Sequence, residues 1–136
     1  MVPVRLDVVV KVKQREEDRR LERFSKDLRQ VEAAKDALQQ AQRAANTDNR
    51  VTGLAAVWSL EEAARQRAVA QVANAKARLD EAAKAAEASR SEWAKARNSA
   101  EAVRRVADAR RDEVVRELNR KETRDLDELA LLRRHG

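Results

Sequence analysis

Cysteine is absent from this 136-residue chain, which excludes disulfides and thiolate metal sites and agrees with a reducing compartment. Tyrosine is absent too, phenylalanine occurs once, at Phe24, and aromatics make up only 2% of residues, too few to anchor a globular core. Proline occurs only at Pro3 and glycine only at Gly53 and Gly136, so a flexible Pro/Gly linker is excluded. The single histidine, His135, stands next to last and reads as a tail residue rather than a ligand or base. No apolar run reaches the length of a signal peptide or a membrane span, and direct membrane insertion is not expected.

What remains is a chain of Ala, Leu, Glu, Arg, Lys and Gln, the strong helix formers, with 40% of its residues charged. That composition, carried on a seven-residue apolar repeat, points to coiled coil. The formal charge of +6 raises a nucleic-acid reading. Acid and base alternate along the chain, however, as in Arg15-Glu16-Glu17-Asp18-Arg19-Arg20 and Arg110-Arg111-Asp112-Glu113. A nucleic-acid binder gathers its positive charge on one face, whereas interleaved charge belongs to a solvated helix surface. No nucleic-acid partner is expected.

The fold class read from this pattern is all-α, a long antiparallel two-helix coiled-coil hairpin forming a single domain over 1–136. Helix 1 is expected over about 5–45, with Pro3 in its first turn, where a missing N–H costs nothing. Phe24, Val31, Leu38 and Ala45 recur every seven residues, and Leu21 and Leu28 fall between them in steps of three and four, as a heptad seam requires. Leu6, Val9 and Val10 start the seam upstream, and the charged block at 14–20 is expected to pack thinly. Asn46-Thr47-Asp48-Asn49-Arg50-Val51-Thr52-Gly53 is the one strong turn signal, placing a loop over about 46–54. Helix 2 is expected over about 55–132, folded back on the first. Its seam runs through Trp58, Val72, Leu79, Ala86, Trp93, Ala100, Ala107 and Val114, with Ala68, Ala75, Ala82, Ala96 and Val103 between. Leu38 is expected across from 69–72. At 1.5 Å per residue the helices span roughly 60 and 115 Å, so the arms are unequal.

Catalysis is not expected, because two helices enclose no water-excluding site, and adjacent carboxylates such as Glu61 and Glu62 read as solvated. No cofactor is implied. Trp58 and Trp93 lie five heptads apart and share a helix face, so both fit the seam; Trp58, just after the loop, also suits a partner contact at the tip.

The residues also resemble a known family. The opening Val4-Arg5-Leu6-Asp7-Val8-Val9-Val10-Lys11-Val12-Lys13, followed by Gln14-Arg15-Glu16-Glu17, resembles the start of FliJ proteins. Asn46-Thr47-Asp48 with Trp58 is similar to the tip region of the family's enterobacterial members, and Trp93 falls where some members place a tryptophan. Asn119-Arg120-Lys121-Glu122-Thr123-Arg124-Asp125-Leu126-Asp127-Glu128-Leu129-Ala130 resembles the family's C-terminal segment, the part that separates it from the YscO-type injectisome relatives. The resemblance implies a stalk and general chaperone component of a type III, flagellar export apparatus. Its implied partners are a hexameric export ATPase, a membrane export-gate protein and export chaperones, and its implied location is cytoplasmic, peripheral to the inner-membrane apparatus. Enterobacterial members carry bulky residues near the tip where this chain has Ala34, Ala37, Ala41, Ala64 and Ala68, so no gate contact is assigned there.

In a hairpin, both chain ends lie at the pole opposite the loop, and the resemblance puts the ATPase ring at that pole. Leu6, Val9, Leu126, Asp127, Glu128 and Leu129 are therefore the candidate ATPase-binding residues, and Trp58 the candidate at the tip. The competing readings are a basic coiled-coil arm for nucleic acid, a generic coiled-coil adaptor, a parallel homodimer, and an ATP-synthase rotor shaft, which normally adds a globular portion for which this chain has no room.

Overall fold

The computed structural model describes residues 2–47 and 55–135, and over them it consists of two α-helices, α1 (Val2–Thr47) and α2 (Ala55–His135). The helices pack against each other as an all-α antiparallel hairpin, the direction being set by pairs such as Phe24 with Trp93 and Asp7 with Arg111. Absence of breakers explains their continuity: Pro3 falls in the first turn of α1, and α2 contains neither proline nor glycine. Asn46 and Thr47, expected to open the loop, complete α1; the rest of the turn cluster, from Asp48 onward, lies outside the described residues. The chain divides into two compact units, residues 19–94 and residues 1–18 with 95–136.

In the 19–94 unit the inward stripe of α2 is made almost entirely of small residues. Ala68, Ala75, Ala86 and Ser89 are buried, and Val72, Leu79, Ala82 and Trp93 are half-buried. These positions alternate in steps of four and three, the heptad seam of a coiled coil. Ser89 is tolerated there because its hydroxyl donates to the Ala86 carbonyl at 3.1 Å, which satisfies the buried group locally. On α1 the stripe contains Phe24, Val31, Leu38 and Ala45, all half-buried.

The positions between them differ from the expectation. Leu21 and Leu28 are 41% and 45% exposed. The half-buried residues that complete the heptad are Arg20, Asp27, Ala34 and Ala41. Long polar side chains can lie along a seam with their stems inward and their charges at the edge, so a polar residue there does not break the stripe.

The one aromatic pair sets the register of this unit. Phe24 and Trp93 stack with ring centroids 5.8 Å apart and planes inclined by 17°. Stepping one heptad at a time in opposite directions brings Val31 level with Ala86, Leu38 with Leu79 and Ala45 with Val72. Leu38 is therefore level with Leu79 and not with 69–72. Cysteines at Leu38 and Leu79 are expected to form a disulfide within one chain under mild oxidation, read as a mobility shift without change of mass. Bridges found only between chains would mean that α1 and α2 of one molecule are not paired.

In the unit formed by residues 1–18 and 95–136, Ala96, Ala100 and Ala107 are buried, Ala100 to 1% exposure. Leu6, Val10, Lys13 and Glu17 form the half-buried stripe of α1. The charged block at 14–20 is not bare where it falls in this unit. Arg104 donates to Glu17 at 3.0 Å, and the Glu17 side chain is only 14% exposed. At the start of α1, Arg111 donates to Asp7 at 2.6 Å, and that hydrogen bond holds the Arg111 guanidinium above its ordinary pKa. The second pair is solvated on both sides, so it orients α1 more than it stabilises it.

Candidate functional site

The Asp7–Arg111 pair fixes how far α1 reaches along α2 within the terminal unit. Counting back from Asp7, Val2 is level with about Arg116 of α2. From about Glu117 to His135 α2 continues with no described residue of α1 beside it. All described residues from Asp108 to His135 are exposed. This arm carries Leu118, Leu126, Leu129, Leu131 and Leu132, of which Leu126 is 67% exposed. A soluble monomer tolerates scattered apolar residues, but an exposed series at helical spacing is the mark of a binding face.

The residues assigned from the sequence to the ATPase end do not form one patch. Leu6 is half-buried and lines an open cleft of about 530 Å³ with Asp7, Ala107, Val114 and Val115. Val9 is exposed near it. Leu126, Asp127, Glu128 and Leu129 are all exposed on the arm. Leu126 lies fifteen residues beyond Arg111, roughly 22 Å along the helix axis. The terminal unit thus offers two surfaces: an apolar cleft at the start of α1, and a bare leucine face on the arm. One partner would have to be long enough to cover both.

Val114, expected in the seam of α2, is exposed instead, and with Val115 and Leu118, which the sequence reading did not single out, it carries the apolar stripe from the paired part of α2 onto the arm. Their spacing was the available signal, and it reads as a continuing seam unless the start of α1 is known. The clamps Glu17–Arg104 and Asp7–Arg111 were also missed, since opposite charges become pairs only once the register is set.

Trp58 and Trp93 have separate environments despite sharing a heptad phase. Trp93 packs on Phe24, whereas Trp58 is 58% exposed. Elsewhere in the 19–94 unit the two helices border an open groove of about 890 Å³, lined mainly by alanines between Ala33 and Ala44 of α1 and by Ala75, Ala82 and Ala85 of α2.

Several surface charges are paired along each helix. Lys26 lies 3.8 Å from Glu22, Lys35 3.5 Å from Glu32 and Arg65 3.5 Å from Glu62. Arg90 donates to both carboxylate oxygens of Glu87, the closer contact at 2.7 Å, and this holds the Glu87 carboxyl below its ordinary pKa. Such pairs divert cations from the continuous positive stripe that phosphate recognition needs. Among the described residues no three His, Cys, Asp or Glu side chains gather as a metal site, and no helix is long and apolar enough to cross a membrane.

A protein-family model described as "Flagellar FliJ protein" matches residues 1–135. No curated protein and no solved structure matches the chain.

Proposed function

Because the chain belongs to the FliJ family, a non-enzymatic component of the flagellar export apparatus, we propose that it acts there as a stalk coupling the export ATPase ring to the membrane export gate. It works by binding, at the cytoplasmic side of the inner-membrane apparatus, and the bare arm of α2 is its ATPase-binding element. The observation that carries this reading is the exposure of Leu126, Leu129 and Leu132 on a helix that α1 does not reach. The lumen of a ring is a surface able to cover such an arm along its length. Asp127 and Glu128, flanking the leucines, suit arginines of that lumen, since charge complementarity steers and orients docking. Trp58, exposed just after the turn cluster in sequence, is the candidate contact for the gate, and export chaperones are the remaining proposed partners.

The test is ATP hydrolysis by the cognate export ATPase, titrated with this protein. Leu126→Ala combined with Leu129→Ala is expected to weaken stimulation at least tenfold, about what losing two apolar contacts does to an affinity. The circular dichroism of the hairpin should be retained. Undiminished stimulation by the double variant would remove the arm from the ATPase contact and leave the stalk reading without its carrying observation.

A further inference from the structure

The first turns of α1 carry a residue pattern that suits a strand better than the helix they form. In Val4-Arg5-Leu6-Asp7-Val8-Val9-Val10-Lys11-Val12-Lys13 an apolar residue stands at every second position from Val4 to Val12. Period two belongs to a half-buried β-strand. A helix turns 100° per residue, so it brings only part of such a set to one face. Leu6 and Val10 are half-buried, whereas Val8, Val9 and Val12 are left exposed. Valine is also a weak helix former, because its branched Cβ loses rotamer freedom against the preceding turn. The stretch of α2 that faces these turns, residues 95–113, is instead rich in Ala and Arg, which favour helix.

The hold between the two stretches is thin. Leu6 is the only leucine in residues 2–18 or 95–113, and neither stretch contains an aromatic residue. The buried residues on the α2 side are Ala96, Ala100 and Ala107, which offer little apolar area. Lys13 and Glu17 complete the inward stripe of α1. Glu17–Arg104 is the more enclosed of the two ion pairs across the helices, yet Arg104 Nε is buried without a hydrogen-bond partner. A polar layer satisfied only in part is a weak point of a packed seam.

We infer that residues 2–18 of α1 are a detachable strap, which leaves α2 by local unfolding while residues 95–113 stay helical. The Glu17–Arg104 pair is its catch. Once off α2, the valine-rich turns have no packing to offset their poor helix propensity, so release and melting are one event. Release uncovers Ala96, Ala100 and Ala107 and extends the free face of α2 from about 117 back to about 95. The inference rests on the two stretches alone and holds whatever the bare arm contacts.

The experiment is amide hydrogen exchange of the full chain, read residue by residue and scaled to unstructured-peptide rates. Residues 8–18 are expected to exchange at least about tenfold faster than residues 28–45, and about threefold faster than residues 95–113. Arg104→Ala should speed exchange of 8–18 about tenfold, by leaving the enclosed Glu17 carboxylate unpaired, and should leave 28–45 unchanged. Arg111→Ala, at the solvated pair, should change the same rates by only about twofold. A third variant, Val8→Ala with Val9→Ala and Val12→Ala, touches exposed positions only and should slow exchange of 8–18 about tenfold by raising helix propensity. Equal wild-type rates in 8–18 and 28–45 overturn the inference, because the hairpin then opens as one unit. Equal rates in 8–18 and 95–113 do so as well, since both helices would then melt together. No slowing by the valine variant, or an Arg104→Ala effect no larger than that of Arg111→Ala, removes the strap's propensity or its catch and overturns the inference too.

Discussion

Leu79→Asp is expected to separate α1 from α2 throughout the 19–94 unit and to abolish most of the chain's helicity at ambient temperature. Leu79 is half-buried and, in the register set by the Phe24–Trp93 stack, level with the half-buried Leu38. Around it the stripe is Ala75, Ala82, Ala34 and Ala41, which bury little apolar area at about 25 cal/mol per Å². The Leu38–Leu79 layer therefore carries a disproportionate share of the pairing energy. Aspartate there removes the leucine burial and puts a charge against an apolar neighbour with too short a stem to reach water freely. A cost of about 3–5 kcal/mol follows, comparable with the whole stability of a small cooperative unit. Leu60→Asp is the matched control, because Leu60 is 71% exposed and a substitution there should stay within about 0.5 kcal/mol. Thermal melts followed by circular dichroism decide the matter: equal midpoints for the two variants would mean that Leu79 does not face α1.

The contrast between the two helices shows what an apolar pattern can and cannot reveal. On α2 the seam was legible because Ala68, Val72, Ala75, Leu79, Ala82 and Ala86 alternate correctly and the residues outside them are mostly polar. On α1 the inward positions include Lys13, Glu17, Arg20 and Asp27, so the apolar pattern alone favours Leu21 and Leu28, one step to the side. Nothing in a binary pattern distinguishes an arginine lying along a groove from one standing in solvent. Trp58 illustrates the reverse error, a large apolar residue at the right heptad phase that is nevertheless exposed.

The candidate site was legible in part for a similar reason. Leu126 and Leu129 stood out because too little of α1 was left to cover them, which needed only the unequal helix lengths. Grouping them with Leu6 and Val9 needed the register, and two residues at the same pole of a hairpin can still be several helical turns apart. The Asp7–Arg111 contact is what separates them. Family membership, by contrast, was carried by the order of weak landmarks along the chain and not by any one position.

Phe24→Ala is expected to lower the melting midpoint of the hairpin by about 10 °C, corresponding to about 2 kcal/mol. Phe→Ala at a fully buried site costs 3–5 kcal/mol, and Phe24 is half-buried, so roughly half of that applies. The stack on Trp93 accounts for a further part, because offset aromatic pairs contribute about 0.5–1.5 kcal/mol beyond the area they bury. Phe24→Leu keeps most of the burial and removes the stack, so its midpoint should fall between those of the wild type and Phe24→Ala. Trp93 reports the same event independently. In a Trp58→Phe background it is the sole indole, and loss of the Phe24 ring should move its emission to the red as water reaches the exposed ring face. The Trp58→Phe change itself should leave the melt unmoved, since Trp58 is largely solvated. If Phe24→Ala neither lowers the midpoint nor shifts the Trp93 emission, the aromatic layer is not what holds the register of α1 on α2. The levels assigned from it, Val31 with Ala86 and Leu38 with Leu79, would then have to be drawn again.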